Sequence, residues 1–237
     1  MAEKLGEPPD GAGGGDAFED DVRTQMERIY GGQIVPVADI PWNRPEPPAL
    51  LVELVDSGRV APCKAIDLGC GAGNYAIYLA SRGFSMTGVD ISPRAIELAR
   101  QNAAKKGVDC RFVAADLLGE LDLSELGQGF DFAYDWELLH HVYPRQRKRY
   151  VANVSRLLSP GAKYCSVCFS EEDPQFGGVG KYRATRLGTH LYFSSEDELR
   201  ELFSPHFDIL DLRTVDITAE TGSHAVIYAF TKKRLPR

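Results

Sequence analysis

The stretch Ala65-Ile66-Asp67-Leu68-Gly69-Cys70-Gly71-Ala72-Gly73-Asn74-Tyr75 constrains this chain more than any other. A short apolar run carries one acid, three glycines then alternate with small residues, and a helix-like pattern follows. That order predicts a buried parallel strand, a tight turn and the first turn of a helix. Glycine admits positive φ and lets a ligand come close to the backbone, where a Cβ would stand in the way. Asp67 offers a carboxylate to a cationic group, while the helix start beyond it favours negative charge. A ligand bearing both an ammonium and a carboxylate suits this mixture.

The segments downstream repeat the strand-then-helix theme. Phe84 to Asp90 reads as a second buried strand, and Ser92-Pro93 as the cap and first residue of a helix running to about Lys106. Cys110 to Ala115 is a third strand closed by Asp116-Leu117, and Phe130 to Asp135 a fourth. A helix from about Pro144 to Leu158 and a fifth strand from Ala162 to Ser170 follow, then a final pair, Phe207–Val215 and Ala225–Thr231, read as a hairpin. The fold class is therefore α/β. Asp67, Asp90 and Asp116 fall at the carboxyl ends of successive strands, along the edge where open α/β sheets bind ligands. Asp90 stands where a ribose-binding carboxylate belongs.

Composition sets the outer limits. With 237 residues and 43% hydrophobic content, one globular domain over 21–237 is expected behind a Gly- and Pro-rich tail at 1–20, read as disordered. Within it, 21–60 reads as an N-terminal cap segment, 61–170 as the cofactor-binding core and 171–193 as an acceptor-side loop. A formal charge of −7 argues against broad attraction to nucleic acid. The apolar runs are too short to span a membrane, and five cysteines fit reduced thiols in the cytoplasm, the expected location. Cys165-x-x-Cys168 lies on a predicted strand, where positions three apart face opposite ways, so no metal site is expected.

Two further regions carry side chains suited to chemistry. Glu171 to Leu191 breaks the regular pattern with a glycine-rich run flanked by Phe176, Tyr182 and Arg183. A loop of that length after the fifth strand predicts a lid over the ligand edge that helps form an acceptor pocket, together with Trp136. His140 and His141, just past the fourth strand, are candidate general bases, and Trp42 sits in a proline-stiffened loop able to cover a ligand.

The glycine turn decides between two cofactor classes. A dinucleotide fingerprint would need G-x-G-x-x-G, and the third glycine is replaced by Asn74. The pattern D-x-G-x-G-x-G from Asp67 to Gly73 instead resembles the first motif of the class I S-adenosylmethionine-dependent methyltransferases. From Trp42 to Lys233 the chain is similar to that superfamily, which implies a Rossmann-like, doubly wound seven-stranded sheet, mostly parallel with an antiparallel final strand. Pro41-Trp42-Asn43, the run Phe130 to Glu137 with Pro144-Arg145-Gln146-Arg147 behind it, and Phe176-Gly177-Gly178 resemble the thiopurine and thiol (halide) methyltransferase branch.

This resemblance implies a site. Gly69, Gly71 and Gly73 would line the methionine part of S-adenosylmethionine and Asp67 would hold its amino group. Asp90 would take the ribose hydroxyls, Ile91 would flank the adenine, and Asp116 with Leu117 would meet its amino edge. Trp42 would close over the donor, and Asp135 would lie near the sulfonium and the acceptor. The implied activity is methylation of a small molecule, at sulfur or another soft nucleophile. A non-catalytic S-adenosylmethionine-binding module and a methyltransferase for protein or nucleic acid stay open, as does the oligomeric state.

Overall fold

The computed structural model describes residues 15–177, 180–219 and 222–235. In chain order the elements are α1 (Gly15–Tyr30), α2 (Ala49–Asp56), β1 (Lys64–Leu68), α3 (Asn74–Ser81), β2 (Ser85–Asp90), α4 (Pro93–Lys106), β3 (Cys110–Ala114), α5 (Leu123–Leu126) and β4 (Phe130–Trp136). They continue with α6 (Pro144–Leu157), β5 (Leu158–Phe169), β6 (Tyr182–Ala184), β7 (His190–Tyr192), α7 (Glu196–Phe203), β8 (Phe207–Ala219) and β9 (Gly222–Lys233). Seven strands form one sheet in the order β3-β2-β1-β4-β5-β9-β8. All neighbours from β3 through to β5 are parallel, and β9 runs antiparallel to both β5 and β8. The order reverses between β1 and β4, which opens a crevice at their carboxyl ends.

Helices cover both faces because the central strands are apolar on both. One layer joins Leu51 and Leu54 of α2, Ala76 and Leu79 of α3 and Ile96 and Ala99 of α4 to the sheet. The other joins Tyr150, Val151 and Val154 of α6 and Leu199 and Phe203 of α7. Cys165 packs in the first layer and Cys168 in the second, as strand alternation requires. Local chemistry fixes the helix starts. Ser92 Oγ accepts from Ala95 N at 3.1 Å ahead of Pro93, and Ser195 with Glu198 forms a reciprocal capping box on α7.

Two segments differ from the sequence reading. The tail read as 1–20 lies outside the described residues as far as residue 14, but its last six residues belong to α1, which begins at Gly15 rather than Asp21. Gln25 Nε2 donates to Leu187 O, and Glu27 accepts from Ser92 Oγ at 2.5 Å and Arg94 N at 3.1 Å, which docks α1 at both ends of the crevice. The stretch after β5, read as irregular, contains the antiparallel pair β6–β7. Three-residue strands are too short to leave a period in the sequence.

Candidate active site

One large cavity, of about 1060 Å³, opens at the carboxyl edge of the sheet. Pockets for one drug-sized ligand run to about 300–1,000 Å³, so this one has room for a donor and an acceptor together. Its floor is made by the strand ends, its roof by α1 with Trp42, and its far wall by the residues after β5 and the start of β9.

The floor begins with the glycine turn. Gly69, Gly71 and Gly73 adopt φ of 77°, 52° and 80°, which a side chain would strain. Gly71 N donates to Asp90 Oδ2 and Ser92 N to Asp90 Oδ1, both at 2.9 Å, so the carboxylate is clamped between two loops while still lining the cavity. Burial pushes Asp90 up to about 6, against those two bonds. Asp67, 3% exposed, is pushed to about 7 by burial, opposed by the neighbouring Tyr134 and reinforced by Asp90 and Asp135. Asp116 lines the same cavity, its Oδ1 taking Leu118 N at 2.8 Å. Three carboxylates predicted on one edge therefore open into one chamber, with Ile91 and Leu117 between them as apolar contacts.

The roof ties to this floor. Trp42 Nε1 donates to Tyr30 Oη at 2.9 Å, and that hydroxyl lies 2.4 Å from where a Cβ on Gly71 would stand. Asn74 Nδ2 donates to Asn43 Oδ1 at 2.8 Å, which joins the turn to the cap segment. Tyr30, Asn43 and Asn74 carry no motif, so only the folded chain brings them to the turn.

Gly73 is placed differently from the expectation. Its added Cβ would meet Ala99 Cβ and Phe112 at 2.9 Å, so its small size serves the packing of α3 against α4 and β3, away from the cavity lining. Asp135 also turns away. It is fully buried on the α6 side, accepting from Tyr150 Oη at 3.0 Å, Ser166 Oγ at 2.9 Å and Tyr164 Oη. Burial still holds it up at about 6 against those three bonds. Strand alternation explains both facts, since Asp135 and its neighbour Trp136 point to opposite faces. Trp136 lines the cavity.

The carboxylate that β4 does deliver is Glu137. It lines the cavity at φ 61°, a left-handed conformation rare for a side chain of its size. Burial raises its pKa, opposed by Arg44 and His224. Glutamate gives no sequence sign of positive φ, so the sequence alone does not single out Glu137 beside Trp136.

The far wall is aromatic. His140 stacks on Phe169 with centroids 4.5 Å apart, and its buried Nδ1 has no hydrogen-bond partner among the described residues. His141 meets Trp42 edge-on at 6.3 Å. Burial holds both histidines neutral, His140 well below its ordinary value and His141 at about 4. Phe176 lines the wall, stacked on His224 at 5.6 Å. Tyr182 and Arg183 do not belong to it. Tyr182 packs on Tyr143 and Tyr192. Arg183, 3% exposed, spends its guanidinium on the carbonyls of Glu171, Asp173, Gln175 and Gly180, a clasp that shapes the loop from behind. Among the described residues no group of three His, Cys, Asp or Glu side chains is arranged to hold a metal ion.

The acidic floor fits the expected donor. Asp67, Asp90 and Asp116 all line the cavity, and carboxylates there can accept from groups such as an ammonium, a diol or an exocyclic amine. When bound, S-adenosylmethionine supplies a methyl group already activated by the sulfonium. What the chain contributes is orientation and exclusion of water.

Comparison with known proteins agrees with this geometry. Residues 65–161, which span β1 to β5, match the family described as a methyltransferase domain. The chain is 28% identical over 196 residues to the 2-heptyl-1-hydroxyquinolin-4(1H)-one methyltransferase of Mycobacteroides abscessus, covering 81% of this chain and 80% of that one. In fold it is similar to the 1,6-didemethyltoxoflavin-N1-methyltransferase of Burkholderia thailandensis, solved with its acceptor and S-adenosylhomocysteine (TM-score 0.68, 22% identity, 99% of this chain and 93% of that one). It is likewise similar to the N-methyltransferase NodS of Bradyrhizobium japonicum, solved with S-adenosylhomocysteine (TM-score 0.65, 19% identity, 90% and 99%). Residues 65–161 thus match a methyltransferase domain, and the comparisons support an S-adenosylmethionine-dependent methyltransferase.

Proposed function

We propose that this enzyme methylates a small, planar molecule. The observation that carries the reading is the division of the 1060 Å³ cavity into an acidic half at the strand ends and an aromatic half walled by Trp136, Phe169 and Phe176. Flat apolar walls select a ring, and a roof made by α1 and Trp42 leaves little room for a folded macromolecule. The quinolone acceptor named for the Mycobacteroides relative is of this shape, and so is the toxoflavin precursor of the Burkholderia enzyme.

On this reading Asp67 holds the donor's amino group, Asp90 its ribose, and Ile91, Asp116 and Leu117 its adenine. Gly69 and Gly71 give the backbone approach and Trp42 covers the donor. His140, His141, Trp136 and Phe176 form the acceptor side. Sulfur, the acceptor atom of the thiol branch, is one arm of the test. The same proposal places the enzyme in the cytoplasm, acting on neither membrane nor nucleic acid. No described helix is long and apolar enough to cross a membrane, and the formal charge is −7.

The test is incubation with S-adenosylmethionine and a panel of hydroxyquinolones, phenols, thiols, halides and amines, read as S-adenosylhomocysteine release. Turnover on planar members is the expected result. Tight donor binding with no turnover on any of them, and turnover on a protein or RNA fraction, would sink the proposal.

A further inference from the structure

Among the described residues two that are not glycine hold φ in the left-handed region, Glu137 at 61° and Phe176 at 54°, and both line the same cavity. For a side chain the size of glutamate this conformation is costly, and it persists only where the surrounding structure enforces it. Here Glu137 N donates to Val167 O of β5 at 2.8 Å, one backbone bond past the end of β4. Leu138, next in the chain, packs on the glycine turn, since a Cβ on Gly69 would stand 2.8 Å from its Cδ1. Glu137 is therefore fixed where the strand order reverses, beside the turn that the proposed reading gives to the donor. Its side chain is half-buried, and among the described residues no group donates a hydrogen bond to its carboxylate. Asp90, Asp116 and Asp135 each accept at least one such bond. Glu137 alone of these four keeps its full accepting capacity for a ligand. The titratable groups that face it are Arg44 from the cap segment, Tyr75 from α3 and His224 from β9.

We propose that Glu137 is the general base of the transfer, taking the proton of a hydroxyl or ring N–H on a planar acceptor. The inference rests on the small-acceptor reading above and names the class within it, a neutral protic nucleophile and not a preformed anion. As the acceptor oxygen or nitrogen forms its bond to the methyl carbon, its proton passes to a carboxylate oxygen of Glu137. The carbon–sulfur bond of the donor breaks with its electron pair left on sulfur, giving the neutral thioether. The carboxylic acid then returns its proton to water. Burial raises the Glu137 pKa, with Arg44 and His224 opposing, which brings a carboxylate closer to the range where proton transfer near neutral pH is efficient. The two histidines on the turn after β4 suit the task less. Burial holds His140 well below its ordinary value and His141 at about 4, so both are weak proton acceptors.

A matched pair of probes tests this. Near neutral pH 4-chlorophenol keeps its proton, whereas 4-chlorothiophenol is largely ionised and needs no base. Glu137→Gln preserves the size of the side chain but removes its basicity. It should lower the ratio of phenol to thiol turnover by about 10²–10⁴-fold. The pH profile supplies a second readout. Wild-type turnover of the phenol should fall as pH drops through the Glu137 pKa, because a protonated carboxyl cannot accept. In Glu137→Gln that limb should vanish, and the residual rate should follow ionisation of the phenol itself. Glu137→Asp, which keeps the charge one methylene short, should recover part of the ratio. Equal loss on both probes with S-adenosylhomocysteine affinity intact, or an acid limb that survives in Glu137→Gln, overturns the assignment. So does lost S-adenosylhomocysteine affinity in a variant that melts like wild type, which would give Glu137 to the donor. A wild type that methylates the thiol but not the phenol overturns it as well. If Glu137→Gln fails to fold, Glu137→Asp is read by the same ratio. If wild type binds S-adenosylhomocysteine but neither probe, the small-acceptor reading itself has failed.

Discussion

The acidic half of the cavity and its aromatic half are built by different means. In the acidic half each carboxylate sits at or near the end of a parallel strand, and the backbone amides on Asp90 and Asp116 come from no more than 19 residues away. Asp90, clamped by Gly71 N and Ser92 N, is the clearest case. In the aromatic half the contacts cross most of the chain. His224 meets Asp173 from 51 residues away, and Gln25 reaches Leu187 from 162. On the proposed reading, the donor is met by shorter-range structure and the acceptor by contacts between segments far apart in the chain.

The largest test of this contrast uses pH. Asp67 is held at about 7 in the folded protein against an ordinary value of 3.8, chiefly by burial. A carboxylate raised on folding adds stability below pH 4 that is lost as pH rises through 7. The gap corresponds to up to about 4 kcal/mol. Asp67→Asn should therefore make the ligand-free protein more stable than wild type at pH 8 and no more stable at pH 4, seen in melting temperatures. The same variant should bind donor more weakly. A wild-type curve with no decline across that window would mean that water reaches Asp67.

Gly73→Ala comes next. It combines φ 80° with a Cβ 2.9 Å from Ala99 and Phe112, which together should cost about 2–4 kcal/mol in denaturant unfolding. Both halves should suffer equally, since the damage is to packing and not to either ligand. Loss confined to donor affinity would return Gly73 to the cavity lining.

Asp90→Ala should separate the halves. Removing a charged acceptor of two ligand hydroxyls should weaken S-adenosylhomocysteine binding by at least about 1.5 kcal/mol in calorimetry, with binding of a planar acceptor probe little changed. Phe176→Ala is the smallest and opposite case. About 1 kcal/mol, or some fivefold in kcat/KM, is expected from losing its stack on His224 and its tilted contact with Phe193, with donor affinity intact. Weakened donor binding in Phe176→Ala would erase the distinction between the halves.

The same division decides what could be read from the sequence. Asp67, Asp90 and Asp116 were legible because strand, turn and acid are contiguous, and the alternation of elements predicts the sheet that aligns them. Asp135 misled because an acid near a strand end points to either face by parity alone, and here Tyr150, Tyr164 and Ser166 claim it. Arg183 misled for a related reason, since a cation in a loop serves carbonyls as readily as a ligand. Glu137, Tyr30 and His224 left no local signal. Their places at the cavity arise from a backbone twist, a helix laid across the crevice and a strand reversal, each set by tertiary packing.

The reversed strand has a consequence for how such an enzyme changes. In a sheet of parallel strands every contribution to the ligand edge comes from a strand's end, where the following loop must also start a crossover helix. β9 is free of that duty, since it runs antiparallel to both of its neighbours, β5 and β8. Substitutions at its start can reshape the aromatic half of the cavity without disturbing any crossover. On the proposed reading, a graft that moves the segment after β5 together with β8 and β9 would carry acceptor preference between relatives, leaving the acidic floor of the recipient in place.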